Sequence, residues 1–112
     1  MVKKIVIVPG NGCVDVVNSN WYAEFASAAE AAFPGYKIVL RNMPDPYVAK
    51  ESVWIPFLKD DVEVGEDTVV VGHSSGAVCA MRLLETTKLK GVVLVATCHT
   101  DLGDENEKAS GY

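Results

Sequence analysis

The sequence is short of the groups that metal and disulfide chemistry require. It holds three cysteines, Cys13, Cys79 and Cys98, and two histidines, His73 and His99. No C-x-x-C pair occurs and the cysteine count is odd, so the pattern supplies neither four close zinc ligands nor a disulfide framework. Three free thiols in a reducing compartment are the expectation, with Cys79 packing as a small hydrophobe in a helix. Long apolar runs are absent as well. Ile5–Val8 stops after four residues at Pro9-Gly10, too short for a secretory core, and no stretch approaches the roughly 20 residues that cross a bilayer. The cytoplasm, with the nucleus as a second compartment, is therefore expected. Basic charge is outweighed, with 10 Lys and Arg against 15 Asp and Glu, a net charge of -5. That balance argues against sequence-independent nucleic-acid binding and against docking on an anionic membrane. Nucleotide fingerprints are missing too. No G-x-x-x-x-G-K-[ST] occurs, and Gly10-Asn11-Gly12-Cys13-Val14-Asp15 lacks the third glycine of a dinucleotide loop. No cofactor and no metal are expected. The acids Asp60, Asp61, Glu63 and Glu66 fit no EF-hand spacing and read as a solvated face.

What remains is a chain of 112 residues, 49% hydrophobic, enough for one domain that buries roughly 65% of its unfolded surface. Four β-branched runs, Lys4–Val8, Lys37–Leu40, Thr68–Val71 and Val92–Val95, are nearly continuous in apolar residues, as strands covered on both faces are. Three segments of helical spacing lie between them. The first is expected from Asn20, as cap, to Ala32, burying Trp21, Phe25, Ala28, Ala29 and Ala32. The second runs from Ala49 to Leu58 and is kinked or stopped at Pro56, with an acidic surface turn over Lys59–Asp67 after it. The third runs from Ser75 to Glu85 along Ala77, Met81 and Leu84. A β-α-β-α-β-α-β order favours a parallel sheet with right-handed crossovers, in a three-layer α/β sandwich. The acidic stretch from Asp101 to Tyr112 is expected as an exposed loop or tail of this single domain.

The sharpest chemical signal is Val71-Gly72-His73-Ser74-Ser75-Gly76-Ala77, a G-x-S-x-G directly after a strand and before a helix. In a nucleophile elbow the serine sits in a tight, strained turn and its hydroxyl stands clear at the carboxyl edge of the sheet. Gly72 and Gly76 remove side chains that would otherwise collide with strand and helix. Ser74 is the candidate nucleophile. The Ser75 amide, at a helix N-terminus, is one oxyanion donor. Val8-Pro9-Gly10-Asn11-Gly12 ends the first strand. In a 2-1-3-4 sheet that loop lies beside Ser74, so the amide of Asn11 or Gly10 supplies the other donor, and Gly10 and Gly12 border the substrate. Asp45, between two prolines, reads as a turn cap rather than a catalytic acid, and Met43 and Met81 read as packing.

The chain resembles the retinoblastoma-binding protein 9 family of serine hydrolases, of α/β-hydrolase type. The matching stretches are VPGNG at Val8–Gly12, WY at Trp21-Tyr22, NMPDP at Asn42–Pro46, ESVWIPF at Glu51–Phe57, GHSSGA at Gly72–Ala77 and DLGDENEKASGY at Asp101–Tyr112. The resemblance implies attack by Ser74 on an ester or amide carbonyl of a small acyl substrate, with Trp54 lining or supporting the substrate entrance. The family protein continues past the residue matching Tyr112, and the resemblance places its catalytic aspartate and histidine in that later part. The chain is thus expected as a truncated α/β-hydrolase core, with four parallel strands in the order 2-1-3-4 that the resemblance implies. Of the two histidines His99 alone follows Ser74, and it is the surrogate candidate for the base, with Asp101 to orient it. The L-x-C-x-E sequence linked to retinoblastoma-protein contact is not preserved, since the positions read Val62-Glu63-Val64-Gly65-Glu66. That argues against the contact here. The alternative to an enzyme is a non-catalytic module that binds a partner or itself through an open, apolar sheet edge.

Overall fold

The computed structural model describes residues 2–96. Cys98, His99, Asp101 and the expected acidic tail lie outside the described residues. Strands β1 (Lys4–Val8), β2 (Lys37–Val39), β3 (Thr68–His73) and β4 (Gly91–Val95) form one sheet, all pairs parallel, in the order β2-β1-β3-β4. The helices are α1 (Tyr22–Ala32), α2 (Glu51–Pro56) and α3 (Ser75–Leu83). Strand order, direction and three-layer arrangement are those expected of an α/β-hydrolase core.

Both faces of the central strands are covered, which is why β1 and β3 carry β-branched residues at successive positions. Val6, Val8 and Val70 pack with Trp54, Leu58, Cys79 and Leu83 under α2 and α3. Ile5, Ile7 and Val71 point to the opposite face and pack with Tyr22, Ala29, Val16 and Cys13 under α1 and the loop before it. Cys79 is fully buried, as expected of a small apolar filler, and neither it nor the buried Cys13 forms a disulfide.

Three local expectations are corrected. Asn20 does not cap α1. It takes a left-handed φ of 47°, Trp21 is the boundary residue, and no side chain caps the helix. The buried side of α1 is built on Tyr22 and Ala29, with Trp21, Phe25 and Ala26 partly covered, while Ala28 and Ala32 face solvent. A tyrosine ring buries far more surface than two methyl groups, so the helix turns to seat Tyr22. In the second helix, the α-helical part stops at Pro56, as expected, but the chain stays helical beyond it. The helix widens into a π-helical turn over Phe57–Asp61, closed by the Val62 N–H donating to the Phe57 carbonyl at 3.0 Å. Proline lacks the donor and crowds the turn before it, and one extra residue per turn accommodates both. That turn carries Leu58 and Val62 into the core, so the 59–67 segment is not wholly a surface turn. Its acids Asp60, Asp61, Glu63 and Glu66 are exposed, as expected. Finally, α3 ends at Leu83 and buries Ala77, Cys79, Ala80 and Leu83, leaving Met81 and Leu84 exposed.

Candidate active site

The carboxyl ends of β1 and β3 are neighbours, with Val8 paired to Gly72. The chain leaves β3 through a single residue, Ser74, before α3 begins at Ser75. Ser74 has φ 54° and ψ -114°, a conformation that L-residues rarely adopt. Its N–H donates to the Val95 carbonyl at 2.9 Å, and its carbonyl accepts from Ala77 at 2.9 Å and Val78 at 3.2 Å. The turn is thus pinned to β4 on one side and to the first turn of α3 on the other.

The two flanking glycines are required by space. A Cβ on Gly72 would strike the Gly76 carbonyl and come within 2.7 Å of the Ala77 Cα. On Gly76 it would strike the Val8 carbonyl and stand 2.6 Å from that of Pro9. Helix α3 therefore lies directly on the end of β1, and this close approach turns the chain back sharply enough to bring Ser74 to the sheet edge.

The loop after β1 faces the turn. Gly10, Asn11, Gly12, Cys13, Ser19, Asn20, Tyr22, His73 and Ser74 surround a cavity of about 190 Å³. A Cβ on Gly10 would stand 3.4 Å from the Ser74 Cβ, so the bare glycine keeps the space beside the serine open. The loop amides are not equivalent. Gly12 N–H donates to the Pro46 carbonyl at 2.6 Å, and Gly10 N–H donates to the Tyr22 hydroxyl at 3.1 Å. Among the described residues, none accepts a hydrogen bond from the Asn11 amide.

One pair at the site is not foreshadowed by any sequence motif. The Tyr22 hydroxyl lies 2.7 Å from His73 Nδ1, and the two rings meet edge to face at 5.7 Å between centroids. Trp21 stacks edge-on against both rings. Burial pushes the His73 imidazole below its ordinary range. Burial also raises the Tyr22 phenol, against the lowering effect of the Gly10 hydrogen bond. The phenol oxygen accepts from Gly10 N–H and shares a second hydrogen bond with His73 Nδ1, whose direction follows the imidazole tautomer. Strand alternation held the clue, because His73 shares the face of Val71 and that face lies under α1.

The structure brings Ser74, Gly10, Asn11 and Gly12 to one cavity. Ser75 sits beside it, fully buried as the first residue of α3. Trp54 is not brought there. It is completely buried on the α2 side of the sheet, and its indole N–H donates to the Pro44 carbonyl at 2.7 Å. It supports the 44–46 loop, whose Pro46 carbonyl in turn holds Gly12. The Asp45 carboxylate closes the turn before α2 by accepting from the Lys50 N–H at 3.1 Å. Among the described residues, no group of three His, Cys, Asp or Glu side chains is placed to hold a metal ion, and no helix is long and apolar enough to cross a membrane.

A strained serine at a strand-to-helix turn, beside a glycine loop on the neighbouring strand, defines the α/β-hydrolase class. The family model described as "Alpha/beta hydrolase family" matches residues 5–109, and the chain belongs to that family. Serine hydrolase RBBP9 of Rattus norvegicus is 48% identical over 109 residues, which are 97% of this chain and 58% of the rat protein. The ydeN gene product of B. subtilis superposes with a TM-score of 0.66 at 24% identity, over 83% of this chain and 50% of its own. A putative ydeN-like hydrolase of Pectobacterium atrosepticum gives 0.62 at 24% identity, over 88% of this chain and 50% of its own. Those two likenesses speak to the fold. The chain spans little more than half the length of the curated relative it matches.

Proposed function

We propose that this chain carries the nucleophile half of a serine hydrolase acting on an ester or amide carbonyl. Ser74 is the nucleophile, and the backbone amides of Ser75 and Asn11 are the oxyanion donors. The observation that carries the reading is the left-handed φ of Ser74, 54°, in a turn held open by two glycines that a methyl group would fill. The amide of Ser75 belongs to the N-terminus of α3, where the helix dipole favours developing negative charge. Gly10 and Gly12 already spend their amides on Tyr22 and Pro46, which favours Asn11 over Gly10 as the second donor. Attack by the Ser74 oxygen on the carbonyl carbon would form a tetrahedral oxyanion, whose collapse breaks the ester or amide bond and expels the protonated alcohol or amine to leave an acyl-enzyme; attack by water would then release the acid and return the serine hydroxyl. The proton needs a base. His99 is the candidate within this chain, and in the longer family form a histidine later in the sequence takes that role. A fluorophosphonate probe tests the proposal. Labelling at Ser74 that disappears in Ser74→Ala supports it, and an unlabelled folded chain rejects it for this chain.

A second reading rests on β4. Among the described strands β4 pairs with β3 alone, and Val93 and Leu94 are 49% and 42% exposed. An open parallel edge with apolar side chains favours self-association or partner binding. Concentration-dependent dimerisation without labelling would favour this reading over the first.

A further inference from the structure

We propose that Tyr22 is a positioning residue for the oxyanion site, its hydroxyl tying the loop that carries Asn11 to the turn that carries Ser74 by accepting from Gly10 N–H and sharing a hydrogen bond with His73 Nδ1. This rests on the hydrolase reading and deepens it.

The two halves of the site are held unequally. The Ser75 amide is fixed by α3 and by the glycine packing of the elbow. The Asn11 amide sits in a loop that leaves β1 after Val8, and nothing in the sheet ladder holds it. Two hydrogen bonds fix that loop. Gly12 is held to Pro46, and Gly10 is held to Tyr22. The second leads straight to the residue before the nucleophile, at 3.1 Å and then 2.7 Å. Three elements thereby meet at one phenol oxygen: the β1 exit loop, α1 and the end of β3. Tyr22 is 1% exposed, so its ring is locked in the α1 core and the oxygen has little freedom to move. The Gly10 and His73 bonds pair a buried phenol that would be costly to leave unpaired, and the Asn20 side chain acts on the same oxygen. Trp21, edge-on to both rings, restricts the imidazole further. An amide that must meet a developing oxyanion within hydrogen-bond distance gains from such a tether, because small displacements weaken the contact steeply.

The test uses the whole chain and three variants. Tyr22→Phe keeps the ring and removes the oxygen. His73→Asn keeps an acceptor near the Nδ1 position, and His73→Leu keeps bulk without one. Amide exchange at Gly10 and the ring 15N shifts of His73 report the tether by NMR. The rate constant for phosphonate labelling of Ser74 at saturating probe reports its use. In Tyr22→Phe, Gly10 exchange is expected to speed up about tenfold or more, the His73 Nδ1 shift to lose its hydrogen-bonded value, and labelling at saturation to slow about tenfold with probe affinity little changed. His73→Leu should match Tyr22→Phe, and the double variant should be no slower than either. His73→Asn should restore most of the rate, which a merely structural loss of the ring would not. Unchanged Gly10 exchange and His73 shifts in Tyr22→Phe overturn the tether. Changed shifts with labelling at the wild-type rate overturn the positioning role while leaving the hydrolase reading intact. A wild-type chain that is not labelled at Ser74 defeats the hydrolase reading first, and the positioning role falls with it.

Discussion

At the scale of single residues, the site was legible where the constraint is local. G-x-S-x-G between a strand and a helix announces a turn that a side chain at Gly72 or Gly76 would block, and the structure puts carbonyl oxygens where those side chains would go. Tyr22 and His73 were not legible, because they lie 51 positions apart and meet only through the rotation of α1. Their contact has a consequence for pH. Burial lowers the His73 pKa from its ordinary 6.5. As pH falls through that value, the unfolded chain takes up a proton that the native chain does not, so stability declines with falling pH. The decline ends once pH passes below the depressed native pKa. The expected result is a urea midpoint that drops as pH falls through 6.5, with the His73 part of that slope missing in His73→Asn.

At the scale of elements, the strands were readable from apolar continuity, since an unbroken β-branched run suits a pleated strand covered on both faces. Two helices fall where their spacing predicts but present a different side to the core. Helical spacing fixes a period without saying which of two adjacent stripes carries the larger ring. The π-helical turn after Pro56 was not readable. A proline predicts trouble for a helix, and the remedy depends on whether Leu58 and Val62 have a core to enter. Trp54 illustrates the same dependence. It is completely buried, and its N–H reaches the Pro44 carbonyl at 2.7 Å. Trp54→Phe is expected to destabilise the fold by about 1–3 kcal/mol through the orphaned carbonyl and the lost ring volume. Chemical denaturation followed by circular dichroism would measure it. Because the 44–46 loop holds Gly12, the same variant should also loosen the Gly12 amide towards exchange.

At the scale of the whole molecule, helical crossovers between four strands made the sheet legible as parallel, the hydrolase resemblance supplied the order β2-β1-β3-β4, and that order is what sets the Gly10–Gly12 loop beside Ser74. The chain covers 58% of the rat relative, so the activity of that longer protein is carried here as a proposal. Among the described residues, the outer side of β4 has no neighbouring strand. Val92 packs into the core beneath α3, while Val93 on the other face is half exposed. Val93→Lys is expected to change unfolding free energy by no more than about 0.5 kcal/mol. It should also shift sedimentation towards the monomer at concentrations where the unaltered chain associates.

The backbone at Ser74 sets chemistry against durability. A glycine at that position would relax a conformation costing about 1–3 kcal/mol, so Ser74→Gly should melt at a higher temperature than the natural chain. Under the proposed function, the hydroxyl at that position is gained at the expense of a hardier fold that lies one substitution away.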